Sequence, residues 1–395
     1  MKKSTQLTAV DIGTSKITCV IATVGEEDNS LRVVGVASVP SKGIRKSQVV
    51  DIEDTIEAAT DSVEMAERMA GLGVREGTIS ISGIHIDSQN SKGLVAVQNP
   101  DSEITADDVD RVVTAAKAVP LETAREILHV VPRYYLVDNQ DGIRDPVGMS
   151  GVRLEAEAHL ITGSIVNTKN LTKVMSEIGV DTNMVTFAGL ASATATLTDT
   201  EKELGVVLVD IGGGTTSLCV YVDGALSHSA GSNKVLDPKN PQSKKQADEI
   251  DLHKLGLKDA PRKISRKAVI EGIIRPRLNE LFELIKAELI KAGVGGKTPA
   301  GLVLTGGGSL TYQIDDAGRK ILGLQSRIAY PVGLTGLVDE IKSPEFSTVT
   351  GLLLLANRDN HPKSTPTFHL PKLSFNLPGK NSGKKILDFI KSFLP

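Results

Sequence analysis

The chain has 395 residues, 40% of them hydrophobic, enough for two or three cores rather than one. A net charge of −3 provides no basic face for nucleic acid. The two cysteines, Cys19 and Cys219, are too few for a disulfide framework or a metal site, and no apolar run reaches the roughly 18 residues that span a bilayer. Residues 1–6 lead straight toward a strand and lack the apolar stretch of a signal peptide, so a reducing cytosol is the expected compartment.

Alternation of Val/Ile-rich runs with Ala/Glu/Lys-rich runs predicts an α/β fold. Aromatics make up only 3%, so the cores must rest on Val, Ile, Leu and Ala. Residues 7–83 read as strand, turn, strand, a helix near Ile52–Ala70 and a strand at Gly77–Ser82. Residues 84–162 are mixed, with a helix near Ala106–Ala118 that Thr105 caps and that carries Asp107 and Asp108 in its first turn. Residues 163–356 hold a second strand–turn–strand unit, further helices and a glycine turn; Leu278, Leu281, Phe282, Ile285 and Leu289 recur at helical spacing. Residues 357–383 are rich in Pro, Ser, Asn and Lys without periodicity, as in a flexible linker.

One internal echo outweighs any single motif. Residues 9–20 and 208–220 share a plan: an apolar strand, an Asp-Ile-Gly turn, small hydroxyl residues, and a second apolar strand. Two copies about 200 residues apart suggest related domains facing a cleft. Gly13, Gly212, Gly213 and Gly214 let successive backbone N–H groups point into one concavity, which suits anionic oxygens. Thr14, Ser15, Thr215 and Thr216 add hydroxyls, and Lys16 a cation. Asp11 and Asp210, at the ends of their first strands, are suited to holding waters of a Mg²⁺ ion, the one catalytic task open to them. The plain alternative is a pair of ordinary β-hairpins, since Asp and Gly are common turn residues. No G-x-x-x-x-G-K-[ST] string occurs, which excludes a Walker loop.

A third element, residues 301–310, reads as a buried strand, the turn Gly306-Gly307-Gly308, and a helix start near Ser309. Together the three resemble the two phosphate motifs and the adenosine motif of the actin/Hsp70/sugar-kinase superfamily. That resemblance implies a two-lobed actin-like ATPase fold of duplicated ribonuclease-H-like domains, with ATP and Mg²⁺ between the lobes.

Within residues 84–162, the runs 83–93, 103–111, 125–132 and 145–154 resemble the subdomain called 1C, specific to the FtsA family of bacterial actin-like cell-division proteins. The resemblance implies lobe 1A at 1–83 and 163–204, subdomain 1C at 84–162, and a second lobe at 205–356 with subdomain 2B at about 225–295. It also implies head-to-tail self-association and contact with later division proteins through 1C. His85 and His129 lie in that block with no nucleophile motif or zinc spacing beside them, and are read as structural. The sequence departs from the family after the second hairpin, where residues 230–241 form a short polar, Pro-bearing run. Subdomain 2B is therefore read as abridged, and Ser217 stands where the family often has Asp. What remains of 2B resembles the helix that helps hold the C-terminal peptide of FtsZ, with Arg275 and Arg277 either attracting acidic peptide residues or remaining solvated.

Residues 384–395 close the chain. On a helix, Ile386, Leu387, Phe389, Ile390, Phe393 and Leu394 form one face, while Lys384 and Lys385 lie mainly elsewhere. This is the pattern of an interfacial amphipathic helix, and FtsA proteins end the same way. The resemblance implies an ATP-binding protein with at most slow ATPase activity. It would polymerise and anchor FtsZ filaments of the Z ring to the cytoplasmic face of the cell membrane at the division septum. The alternatives are a nucleotide-free or weakly binding membrane scaffold, a small-molecule kinase of the same superfamily, and a pilus-assembly actin-like relative.

Overall fold

The computed structural model describes residues 5–25, 28–98, 103–232, 249–251 and 263–360. The polar run at 233–241, nearly all of the 357–383 linker and the terminal helix at 384–395 lie outside the described residues.

Two sheets share one topology. In the first, strands Gln6–Ile12 and Lys16–Val24 form an antiparallel hairpin. Strand Leu31–Pro40 pairs antiparallel with the second of these, and Glu76–Ile81 runs parallel beside the first. In the second sheet, Val206–Ile211 and Thr216–Val222 form the hairpin, Ala225–Ser232 follows antiparallel, and Leu302–Thr305 runs parallel beside Val206–Ile211. The echo in the sequence is thus an echo in the fold. Asp181–Phe187 and Leu334–Gly336 extend the edges of the first sheet, and Ser326–Ile328 extends the second.

These hairpin strands are almost continuously apolar because both faces of each sheet are covered. Along Val206–Ile211 the period-2 alternation sends Val207, Val209 and Ile211 into one core and Val206 and Leu208 into another. The first of these cores receives Leu278, Leu281, Phe282 and Ile285 from helix Arg275–Lys291, the spacing read in the sequence. The second joins both lobes, since it also holds Val10, Ile12 and Cys19.

Helix Ile52–Ala70 has the expected bounds. Asp51 accepts from the Asp54 N–H at 3.1 Å at its start, and Gly71 ends it in a left-handed cap. Helix Ala106–Ala116 begins at a capping box of Thr105 and Asp108 and ends two residues before the expected stop. The helix expected from Ser309 is different: Gly307–Leu310 makes a single 3₁₀ turn, and the α-helix begins only at Ile314. The layout at 205–356 also needs revision at its end. Leu334–Gly336 pairs with Leu31–Val33 of the first sheet, and Val349, Leu352 and Leu353 of helix Ser347–Asn360 pack on Leu7, Ala9 and Val20. The chain thus returns to the first lobe before it ends, a crossover that no local pattern announces.

Residues 87–164 contribute a separate four-stranded sheet in the order Asp87–Ala96, Arg153–Ser164, Arg125–Val137, Gln140–Ile143. Val112 and Ala116 of the capped helix are buried against it. This sheet is bonded to the second lobe by a polar seam. Ser88 Oγ donates to the Ser229 carbonyl at 2.7 Å, and Arg133 Nη2 donates to Ser227 Oγ at 3.0 Å. The imidazole of His159 sits within the seam, Nδ1 to Asn90 Oδ1 at 2.7 Å and Nε2 to Ser229 Oγ at 3.1 Å.

Candidate functional site

The two Asp-Ile-Gly turns meet at one cleft of about 380 Å³, within the range of about 300–1,000 Å³ typical of small-molecule sites. Asp11, Gly13, Thr14, Ser15 and Lys16 of the first turn line it, as do Asp210 and Gly212 to Thr215 of the second. The turns also touch each other. A Cβ on Gly214 would stand 2.2 Å from Thr14 Oγ1, and one on Gly213 would stand 2.7 Å from Ser15 Cβ, so neither position admits a side chain.

Gly306, Gly307 and Gly308 complete the lining. Gly306 has φ +79°, and a Cβ there would lie 2.2 Å from Asp210 Oδ1 and 2.6 Å from the Ile211 carbonyl. Close packing of this turn on the second hairpin therefore explains Gly306 without any ligand. Two expected contacts lie elsewhere. Ser309 is fully buried and donates to the Gly306 carbonyl at 2.7 Å, and Thr216 is a buried residue of its strand; neither lines the cleft.

The carboxylates are held tightly. Asp11 accepts from Ser80 Oγ at 2.5 Å. Asp210 accepts from Ser192 Oγ at 2.5 Å and from Thr348 Oγ1 at 3.0 Å, donors on helices Ala188–Thr196 and Ser347–Asn360. Burial pushes Asp210 up to about 6, against the two hydroxyl bonds, and the nearby charge of Asp11 adds to the rise. Burial likewise raises Asp11, while the Ser80 bond and Lys16 pull it back. Loss of hydration also lowers Lys16, and Glu345 opposes that fall. The ammonium lies 3.3 Å from Glu345 Oε2 and 3.7 Å from the centre of the Phe346 ring.

Sequence reasoning missed several lining residues. Ser47, Ser82, Ser217, Glu345 and Thr348 all face the cleft. In the sequence Ser217 stands out only as a departure from the family pattern. Ser47 and Ser82 carry no motif, and Glu345 and Thr348 arrive through the late crossover to the first lobe. The histidines read as structural are so placed. His129 Nε2 accepts the Phe187 N–H at 2.9 Å, with burial pushing its pKa down to about 4, and His85 Nδ1 accepts the Ser164 N–H at 3.2 Å. Cys19 and Cys219 are buried free thiols.

Residues 83–162 match the family described as the SHS2 domain inserted in FtsA. The cell division protein FtsA of Pseudomonas aeruginosa is 37% identical over 376 residues, covering 88% of this chain and 88% of that one. The chain belongs to the FtsA family of cell-division proteins. FtsA of Borreliella burgdorferi is 36% identical over 374 residues, covering 88% of this chain and 90% of its own. Among solved structures, the PilM-PilN type IV pilus biogenesis complex superposes with a TM-score of 0.61 at 14% identity, over 90% of this chain and 99% of that one. At that identity the likeness shows the actin-like fold alone. The family relation therefore decides for division over pilus assembly.

The donor set fits a magnesium-complexed polyphosphate. Thr14, Ser15 and Thr215 present hydroxyls, Lys16 presents a cation, and glycine backbone without side chains lines both turns. Asp11 and Asp210 would hold the waters of the metal. Among the described residues no group of three or more His, Cys, Asp or Glu converges to bind a metal directly.

Proposed function

We propose that this family member binds ATP with Mg²⁺ in the interlobe cleft, assembles into actin-like filaments, and ties FtsZ filaments to the cytoplasmic face of the cell membrane at the septum. The observation that carries the reading is the meeting of the two echoed turns at one cleft, with Asp11 and Asp210 both lining it. The terminal residues 384–395 supply the membrane contact. Burying one large apolar side chain is worth roughly 1.5–3 kcal/mol, and a lysine at an anionic surface adds about 1 kcal/mol, so one partly inserted helix is a reversible anchor. A polymer displaying many helices binds far more tightly through effective concentration, which couples assembly to attachment. Among the described residues no helix is long and apolar enough to cross a membrane.

Helix Arg275–Lys291 and helix Ile314–Leu322 flank a groove of about 270 Å³ that includes Arg275 and Leu278. This is the site we assign to the FtsZ C-terminal peptide. Arg275 is paired with Glu271 at 2.5 Å and Arg277 with Glu280, so an acidic peptide must exchange these exposed pairs, each worth little. Residues 84–162 are left for later division proteins and for filament contacts.

Two measurements on the full chain test the reading. Equilibrium dialysis with labelled ATP and Mg²⁺ should show saturable binding that Asp11→Ala weakens. Vesicle sedimentation should lose the protein when residues 384–395 are deleted; unchanged lipid binding would remove the anchor. A nucleotide-free scaffold is the second reading, favoured by the contact between the turns at Gly214 and Thr14. Absence of ATP binding in the dialysis would decide for it.

A further inference from the structure

Between the first sheet and helix Ile52–Ala70 the chain makes a two-stranded ribbon, Ile44–Arg45 against Gln48–Val49. Its turn residues, Lys46 and Ser47, have φ +52° and +58°. Side chains are rare and strained in that conformation, and glycine would adopt it freely. Lys46 is exposed, whereas Ser47 is buried among polar groups of the cleft.

Ser47 makes four contacts there. Its N–H donates to Thr14 Oγ1 at 2.9 Å. Its hydroxyl lies 2.9 Å from Thr215 Oγ1 and 3.4 Å from Thr14 Oγ1, and it accepts from Ser82 Oγ at 2.8 Å. Ser82 Oγ is itself 3.3 Å from Thr215 Oγ1. Thr14 belongs to the first phosphate turn and Thr215 to the second. One strained serine therefore bridges both turns, with Ser82 behind it. The glycine turn that would face the nucleoside abuts the second hairpin at Asp210 and Ile211, before its turn, whereas Ser47 reaches Thr215 beyond it.

We propose that Ser47 and Ser82 are contacts for the terminal phosphate of a nucleoside triphosphate and set the preference for triphosphate over diphosphate. This rests on the ATP reading above. A phosphate entering between Thr14 and Thr215 displaces the bonds those hydroxyls make with Ser47. The ribbon keeps the Ser47 backbone in place, so its freed hydroxyl turns to the phosphate oxygens, which accept strongly. A left-handed serine where glycine would be unstrained brings a hydroxyl that glycine lacks, the pattern expected where backbone strain serves a site.

Affinities of the full chain for Mg²⁺ complexes of a non-hydrolysable ATP analogue and of ADP, by titration calorimetry, test this. Ser47→Gly suits the left-handed turn and removes the hydroxymethyl group, and with it the hydroxyl. It should weaken the triphosphate by about tenfold or more and leave ADP within about twofold, the size expected for a lost hydrogen bond to a charged group. Ser82→Ala should shift the same ratio in the same direction, with thermal unfolding confirming that both variants fold. Equal weakening of both nucleotides, or of neither, overturns the proposal while leaving the ATP site standing. A wild-type chain that binds neither nucleotide overturns the ATP reading and this proposal with it.

Discussion

Asp210→Asn is the substitution that most directly separates stability from function in the cleft. An aspartate raised from 3.8 to about 6 stays protonated in the folded chain over a window where the unfolded chain has already lost its proton. Stability attributable to this group is complete below pH 3.8 and is lost as pH rises through about 6. At about 1.4 kcal/mol per pH unit, the loss is about 3 kcal/mol at neutral pH. Asparagine keeps an acceptor for Ser192 and Thr348 and carries no charge, so it removes that loss. Urea unfolding of wild type and variant should therefore agree near pH 4 and diverge to about 3 kcal/mol in favour of the variant at pH 7. The difference between the chains is the quantity to follow, because His159 and His129 act in the opposite sense. Both are depressed by burial, to about 3 and about 4, so their share of stability is lost as pH falls below 6.5. If the cleft binds a magnesium-complexed nucleotide, saturating ligand should stabilise wild type by a few kcal/mol and the variant by much less. A variant less stable than wild type at pH 7, or a difference that does not change with pH, would refute the argument that burial sets the Asp210 charge.

Other substitutions test the packing around the site. Gly306→Ala puts a methyl 2.2 Å from Asp210 Oδ1 in a left-handed backbone and should cost about 2–5 kcal/mol in urea unfolding. Thr105→Ala removes the capping box of helix Ala106–Ala116 and should cost about 1 kcal/mol. Glu345→Gln frees Lys16 from its counter-ion and should raise ATP affinity several-fold by calorimetry, by about the worth of one partly exposed ion pair. His159→Ala removes the imidazole bonded to Asn90 Oδ1 and Ser229 Oγ and should cost about 2–3 kcal/mol, with faster hydrogen exchange along residues 87–96 and 225–232.

Local chemistry made much of this molecule legible. The two hairpins, the capped helices and the apolar stripe of Arg275–Lys291 each follow from spacing within a few residues, and the repeat of Asp-Ile-Gly carried the duplicated topology. The cleft was less legible because its second wall is assembled from far apart in the chain. Glu345 and Thr348 reach it only because Leu334–Gly336 and helix Ser347–Asn360 recross to the first lobe. Ser309 misled for the opposite reason. It follows the glycines in sequence, but the 3₁₀ turn points its hydroxyl back at Gly306. Ser47 gave no signal, because a left-handed serine looks like any other serine until its φ is known.

The seam between the inserted sheet and the second lobe bears on how a cleft event reaches a distant surface. Strand Ala225–Ser232 pairs with Thr216–Val222, which begins at the second Asp-Ile-Gly turn. The same strand holds Ser227 and Ser229, to which Arg133, Ser88 and His159 are bonded. Any motion of the second hairpin relative to the first must therefore either carry the inserted sheet with it or break these bonds. His159 favours the first course: it is neutral and buried, its Nδ1 bond to Asn90 lies within the inserted sheet, and its Nε2 bond to Ser229 crosses the seam, so separation takes the partner of that nitrogen away. Cross-linking cysteines placed at Asn90 and Ser227 in a chain lacking Cys19 and Cys219 distinguishes the two courses. If the sheet travels with the lobe, the cross-link forms equally with and without nucleotide. A yield that depends on nucleotide would mean that the seam opens.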